Sequence, residues 1–384
     1  MFLILCLMVL SIPFAKGPIE YEIGIITLHI YQTIVLIMFP LVIWRIIKRP
    51  SKYGFRNIEI FLLLLTLSYL QSTLLSSTLI SSGRLAFHAL FIPVLSYIIV
   101  KSLVRTEKEY KIINNIIILS VLIFAVSTIV SYFQTGIRPI VFDIEPIGIA
   151  TITIVGLFLS LFYNSRYKII NYIKTIIIGI ALLLSMSRVY LLYVLVSPIS
   201  MYFIKKNILL LWIAMFVGSL AITMTVTYSI DDYSMANTSA EGANTLERMY
   251  EQKHFVRALA GRAYVYKTAL GDFWNNLVFG IGIRAGDLQI TPHNFHVEWL
   301  QYGGVVGYIL YTMVFLAHVT NTRIYIKNDK YLIANQVALL AIMINSITNG
   351  FMHGVIPYMA FIVIGLSEAR INILRQKKII NNKS

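Results

Sequence analysis

The chain has 384 residues, of which 58% are hydrophobic and only 13% charged, against roughly 25% charged in an ordinary soluble domain. A core solvated by water cannot absorb that much apolar surface, so the composition excludes a soluble globular protein and requires lipid as solvent. The net charge of +15 would point to nucleic acid in a soluble protein, but here the basic residues fall in short loops between apolar runs, as membrane orientation requires, and no nucleic-acid partner is expected. With Cys6 as its single cysteine, the chain holds neither an internal disulfide nor a cysteine-based metal site.

The expected fold is an all-α integral membrane bundle, because in lipid only a helix lets an apolar run satisfy its own backbone. The first run, Phe2 to Ala15, is short for a span of about 20 residues and has no positive start, so it reads as an uncleaved first helix. Apolar segments follow at Gly24 to Ile47, Ile58 to Ile80, Leu85 to Val104, Ile112 to Phe133, Ile147 to Tyr163, Ile169 to Met186, Val189 to Ile204 and Ile208 to Tyr228. Three more, Val297 to Thr320, Leu332 to Asn349 and Val355 to Leu366, bring the expected count to about twelve spanning helices. The organisation is therefore residues 1–228 with helices 1–9, residues 229–292 as one large extracytoplasmic (periplasmic) loop, and residues 293–384 with helices 10–12 and a basic cytoplasmic tail.

Orientation follows from the basic residues. Loops after even-numbered segments hold Arg45, Lys48, Arg49, Lys101, Arg105, Lys108, Lys205, Lys206, Arg323, Lys327, Arg370 and Lys377. Loops after odd-numbered segments hold chiefly Lys16, Arg84 and Arg138, with Glu20, Glu22, Asp143 and Glu145. By the positive-inside rule both termini are cytoplasmic and the long loop lies outside.

That loop opens on turn-forming Asp231, Asp232 and Asn237, permits helix from about Thr245 to Phe273, and then carries Gly280, Gly282 and Gly286. The glycines break the helix and leave backbone donors where an anion would sit, although no phosphate-cradling Gly-Lys-Ser or Gly-Lys-Thr follows. Pro292 then begins the next helix, with His293 and Asn294 in its first turn. Arg188 stands in Ser-Met-Ser-Arg between two spans, on the same expected outer face as Arg262 and His293. A charge this close to hydrocarbon costs up to about 2.5–3.5 kcal/mol and commonly marks function. Two cations and an imidazole on one face suit a phosphorylated substrate.

The same residues carry a family pattern: Ser-Met-Ser-Arg before an apolar run, Gly-Arg-Ala-Tyr in the loop, Pro-His-Asn at its end, and Gly-Gly-Val-Val-Gly in the following helix. In order and spacing this resembles the O-antigen ligase and polymerase superfamily, membrane enzymes that join lipid-linked bacterial glycans. One departure is Leu277, where the family usually carries proline. The resemblance implies a metal-independent, inverting glycosyltransferase of the bacterial inner membrane that uses no cofactor. Its donor would be an undecaprenyl-diphosphate-linked glycan and its acceptor another glycan or lipid-linked unit, with membrane lipids and a chain-length regulator as further partners. Polymerase is the first expectation and ligase the alternative. On that implication Arg188 and Arg262 hold the diphosphate, His293 takes the proton of the attacking hydroxyl, and Asn294 and Glu298 bind substrate from the same face.

Blander roles stand beside these. Arg188 suits an interfacial anchor, His293 a helix-start hydrogen bond, and the His293/His296 pair lacks the pattern of a metal site. Gly303, Gly304 and Gly307 suit close helix packing, and Trp44, Trp212, Trp274 and Trp299 an interfacial belt. A flippase for the same lipids, or a non-catalytic scaffold, would also be a helical bundle, but a flippase should show an internal repeat and the scaffold leaves the three clustered residues without a purpose.

Overall fold

Long apolar runs with few breakers form helices wherever the chain has no water to bond its backbone, and the structure, a computed structural model, consists mainly of such helices. It describes residues 1–15, 20–23, 26–50, 53–136, 139–162, 168–185, 187–229, 252–283, 292–352 and 354–381. In chain order these are α1 (Phe2–Leu10), a two-stranded hairpin of β1 (Glu20–Ile23) and β2 (Ile26–His29), α2 (Ile30–Lys48), α3 (Asn57–Leu74), α4 (Leu79–Ala86) and α5 (Ile92–Leu103). Then come α6 (Glu107–Thr135), α7 (Pro146–Phe162), α8 (Lys168–Leu184), α9 (Arg188–Ser229), α10 (Gln252–Asn275), α11 (Phe295–Thr322), α12 (Lys330–Asn349) and α13 (Ile356–Asn381).

Eight of the described helices are long and apolar enough to cross a membrane, with α4 and α5 counted as one through the turn that joins them. This is a multi-pass membrane protein. α13 is the most enclosed of these helices, while α2 and α9 are among the least. Their outward faces carry Ile47, Leu192 and Leu195, which suit lipid rather than water.

Several expectations are corrected in detail. Residues 26–29 are not helical but pair antiparallel with 20–23 in register Glu20↔His29, a conformation that Tyr, Ile and Thr favour; the Gly24 at which the helix was expected to begin lies outside the described residues. The run expected to continue to Ile80 ends at Leu74. Trp212 and Trp299 are not interfacial but fully buried, whereas Trp44 and Trp274 are exposed. Trp299 stacks on Tyr311 at 4.4 Å, and both tryptophans stack on Phe315, so their area goes into the core.

At 42 residues, α9 would be about 63 Å long as one rod, twice a hydrocarbon core of about 30 Å. It breaks at Asn207 (φ −156°, ψ 81°), whose side-chain oxygen accepts from the Leu210 amide at 3.1 Å and so caps the second half. The halves double back. Tyr190, near the start, lies close to Asn345 on α12, and Thr223, near the end, bonds Asn294, which in turn bonds the Ile347 carbonyl on α12.

One end of the bundle carries a buried ionic network. Glu368 accepts from Arg56 at 2.7 Å and from His318 Nδ1 at 3.0 Å, and Gln336 donates to the other His318 nitrogen. Lys101 pairs with Glu59, and Arg370 with both Asp329 and Glu107. Nearby, Arg45, Arg49 and Arg105 lie within electrostatic range of one another. Both ring nitrogens of His318 are thus engaged.

α11 is interrupted at Gly304 (φ 62°, ψ −165°). The segment 277–282 repairs the gap: Ile281 and Gly282 donate to the carbonyls of Gln301 and Tyr302 at 2.9 and 3.1 Å, and Val305 and Val306 donate to those of Leu277 and Val278 at 2.9 and 3.2 Å. Of the glycines whose donors were expected to meet an anion, Gly282 and Gly280 spend their N–H groups on the carbonyls of Tyr302 and Asn276, and Gly286 lies outside the described residues. A side chain at Gly304 would place Cβ 2.4 Å from the Val278 carbonyl oxygen. The backbone conformation there is open essentially to glycine alone, at a cost of about 1–3 kcal/mol for other residues. Gly304→Ala is therefore expected to lower the melting temperature of the detergent-solubilised protein and to speed amide exchange at residues 277–282. An unchanged melt would contradict this packing.

Candidate functional site at the end of the bundle

At the end opposite the ionic network, Asn294 fastens three helices. Its side-chain oxygen accepts from His296 N–H at 2.9 Å and Val297 N–H at 3.3 Å, capping α11. Its amide donates to Thr223 Oγ1 at 2.9 Å on α9 and to the Ile347 carbonyl at 2.8 Å on α12. Every capacity of this buried side chain is spent. The helix accordingly starts at Phe295 rather than at Pro292, and His293 sits just before the cap, exposed, with φ +52°.

Arg262 reaches this place along α10. One turn further on, Tyr266 is buried against Val297. Burial pushes its phenol up, while the neighbouring Arg262 charge pulls it down. The half-buried Arg262 guanidinium is thus on the α10 face that meets the start of α11. Arg188, exposed, opens α9. Two residues later the Tyr190 hydroxyl meets Thr151 of α7 at 2.7 Å, which sets the start of α9 beside the first turns of α7.

Those first turns, His293 and the end of α12 enclose a pocket of about 50 Å³, whose polar lining is Glu145, His293 and Asn349, with Gly148 and Gly354 beside them. A pocket of this size admits a few waters or the hydroxyl end of a sugar. The three non-glycine residues with positive φ among the described residues, Phe142, Asp143 and His293, all lie in or directly before the strands of chain that line it. Strain of this kind persists only where its surroundings hold it, and it concentrates at functional sites.

The structure brings Arg188, Arg262, His293 and Asn294 to one end of the bundle. Glu298 goes elsewhere: fully buried, it accepts from the amides of Phe351 and Met352 at 2.7 and 3.0 Å, so it shapes the chain just before Gly354. His296 also turns away from His293, its ring between Ser219 Oγ at 2.7 Å and Tyr308 hydroxyl at 2.9 Å. Among the described residues no group of three or more His, Cys, Asp or Glu is placed to hold a metal ion. A second cavity of about 530 Å³ lies between Ser76 and Ser77 after α3 and Asp272 on α10 with Asn276 just beyond it. Glu145, Thr223, Tyr266 and Asn349 were not singled out from the sequence. Thr223 and Asn349 lie in apolar runs that gave no sign of a site, and Glu145 showed only as an acidic residue ahead of one.

A family model described as O-antigen ligase matches residues 173–312. Over that stretch, a little over a third of the chain, it is similar to the O-antigen ligase family, in line with the resemblance its motifs carry. The match contains Arg188, Arg262, His293, Asn294 and Glu298, together with the interrupted α11 up to Thr312. No curated protein matches the chain. Within the O-antigen ligase stretch the His293 turn depends most on Asn294. Asn294→Ala is expected to cost about 2 kcal/mol of stability, from the lost cap and the stranded buried partners. It should also reduce the function of this end while leaving His293 in the chain. Thermal melting and the glycan assay described below, run on the same preparation, check both; wild-type values in each would contradict the assignment.

Proposed function

We propose that this protein is a surface-polysaccharide polymerase of the bacterial inner membrane, transferring a glycan from undecaprenyl diphosphate to the hydroxyl of another lipid-linked repeat unit. The observation that carries this reading is the gathering of Arg188, Arg262 and His293 at one end of the bundle, around a strained turn, inside the stretch matched by the O-antigen ligase family. The opposite end holds Arg45, Arg49 and Arg105, which supports a cytoplasmic position for that end and an extracytoplasmic one for the site. In this reading α9 spans twice, the shorter helices contribute spans to give about twelve, and residues 229–292 form the large outer loop.

Arg188 and Arg262 bind the diphosphate through paired donors and permanent charge. Charge grows on the diphosphate as the glycosidic bond breaks, so fixed cations stabilise the transition state more than the bound donor. His293, exposed beside the pocket, takes the proton of the acceptor hydroxyl, whose oxygen attacks the anomeric carbon from the face opposite the leaving group and inverts it. No step needs a metal ion or another cofactor. Asn294 holds the turn and Glu298 the pocket wall, and both act on substrate through that architecture. A chain-length regulator would act beside the enzyme, not within this site.

The family description itself favours a second reading, ligation to lipid A core or another terminal acceptor. Cells lacking the gene, complemented with wild type or His293→Ala, separate the two. Polymerase activity predicts that His293→Ala leaves one repeat unit on the terminal acceptor and no ladder. Ligase activity predicts no transfer to that acceptor and accumulation of long lipid-linked polymer. In a purified assay the same variant is expected to lose turnover by at least about 100-fold, and wild-type turnover would refute the base assignment.

A further inference from the structure

Glu145 lies outside the stretch matched by the O-antigen ligase family, yet it lines the same small pocket as His293. Its position is built with care. Residues 141–144 form a tight turn closed by Val141 N–H to the Ile144 carbonyl at 3.3 Å and Ile144 N–H to the Val141 carbonyl at 3.0 Å. Phe142 and Asp143 at its tip have φ of 52° and 58°, an arrangement that usually selects Gly, Asn or Asp and is costly for Phe. The Phe142 ring holds it in place, packed on Phe14 at 4.7 Å and Phe124 at 6.1 Å. The chain then enters α7 at once, with the Glu145 carbonyl accepting from Ile149 N–H at 3.0 Å.

We propose that Glu145 is a positioning residue of the transfer site, its carboxylate serving across the pocket as counter-charge to the imidazolium that forms on His293. The inference rests on the transfer reaction proposed above. In the chemical step the acceptor O–H bond breaks and its proton goes to His293. The acceptor oxygen bonds the anomeric carbon, and the bond from that carbon to the diphosphate oxygen breaks, the electron pair leaving with the diphosphate. Positive charge thus appears on the imidazole as negative charge moves to the diphosphate. Arg188 and Arg262 answer the second, and Glu145 answers the first. The other charged and titratable groups on elements around His293 are Asp143 before α7, Tyr190 on α9, Tyr266 on α10 and Glu298 on α11, the last bonded to the amides of residues 351 and 352. His353 lies outside the described residues.

The test is the pH profile of transfer by the purified full-length protein. A base must be neutral to accept a proton, so the rate falls on the acid side as His293 becomes charged. An opposing carboxylate favours the charged form and holds that limb at higher pH. Glu145→Gln is therefore expected to move the acid limb down by about one pH unit and to lower the plateau by about tenfold, while Glu145→Asp, which keeps the charge, should leave the limb near its wild-type position. A limb unmoved in Glu145→Gln, with the limb still abolished by His293→Ala, would overturn this inference alone. A limb that survives His293→Ala would overturn the base assignment on which it rests.

Discussion

In hydrocarbon, a backbone N–H or C=O without a partner costs several kcal/mol, and this protein breaks a membrane helix at Gly304 without leaving such groups stranded. Two carbonyls before the break and two amides after it are met by residues 277–282. The rest of the site depends on that repair. It ties the end of α10, which carries Arg262 and Tyr266, to the same helix whose start carries Asn294 and His293. It also frees the first turns of α11 to leave the line of the spanning part, so that Asn294 can hold α9 and α12 together. The interruption is thus the means by which a loop following α10 and a helix start are fixed to each other at one end of the bundle.

The two ends divide the labour of charge. At one, each buried ion has a partner within reach: Glu368 has Arg56 and His318, Lys101 has Glu59, Arg370 has Asp329 and Glu107. Removing one member of such a pair costs about 3–5 kcal/mol, so this end is built to be stable. At the other end, Arg188 and His293 are exposed and Arg262 half-buried, beside two strained turns. Cations left accessible next to a small polar pocket suit an anionic substrate.

Much of this was legible in the sequence. The apolar runs located the helices because in lipid a run of that length has few other folds, and the split of α9 followed from Lys205, Lys206 and Asn207 between two runs. Arg188, Arg262 and His293 stood out because charge is rare in so apolar a chain. The residues around them were hidden for the opposite reason. Thr223 and Tyr266 act through contacts between helices distant in sequence, Asn349 lines a pocket shared with distant chain, and nothing in a single chain's periodicity marks them. Helical spacing from Asn294 says which face Glu298 shares but not what that face meets, here the amides of residues 351 and 352. The strand at residues 26–29 was missed because its apolar residues continue without a break into α2.

In the proposed reaction, lipid-linked glycan reacts at the His293 end. The most direct measurement is photo-crosslinking of the purified protein in bilayers with a polyprenyl-diphosphate sugar carrying a photoreactive group on the sugar, followed by peptide mapping of the adduct. The account predicts adducts in the segments around Glu145, Arg188, Arg262 and His293, competed away by unlabelled donor. Competed adducts confined to the opposite end, around Arg56, Lys101 and Glu368, would contradict it.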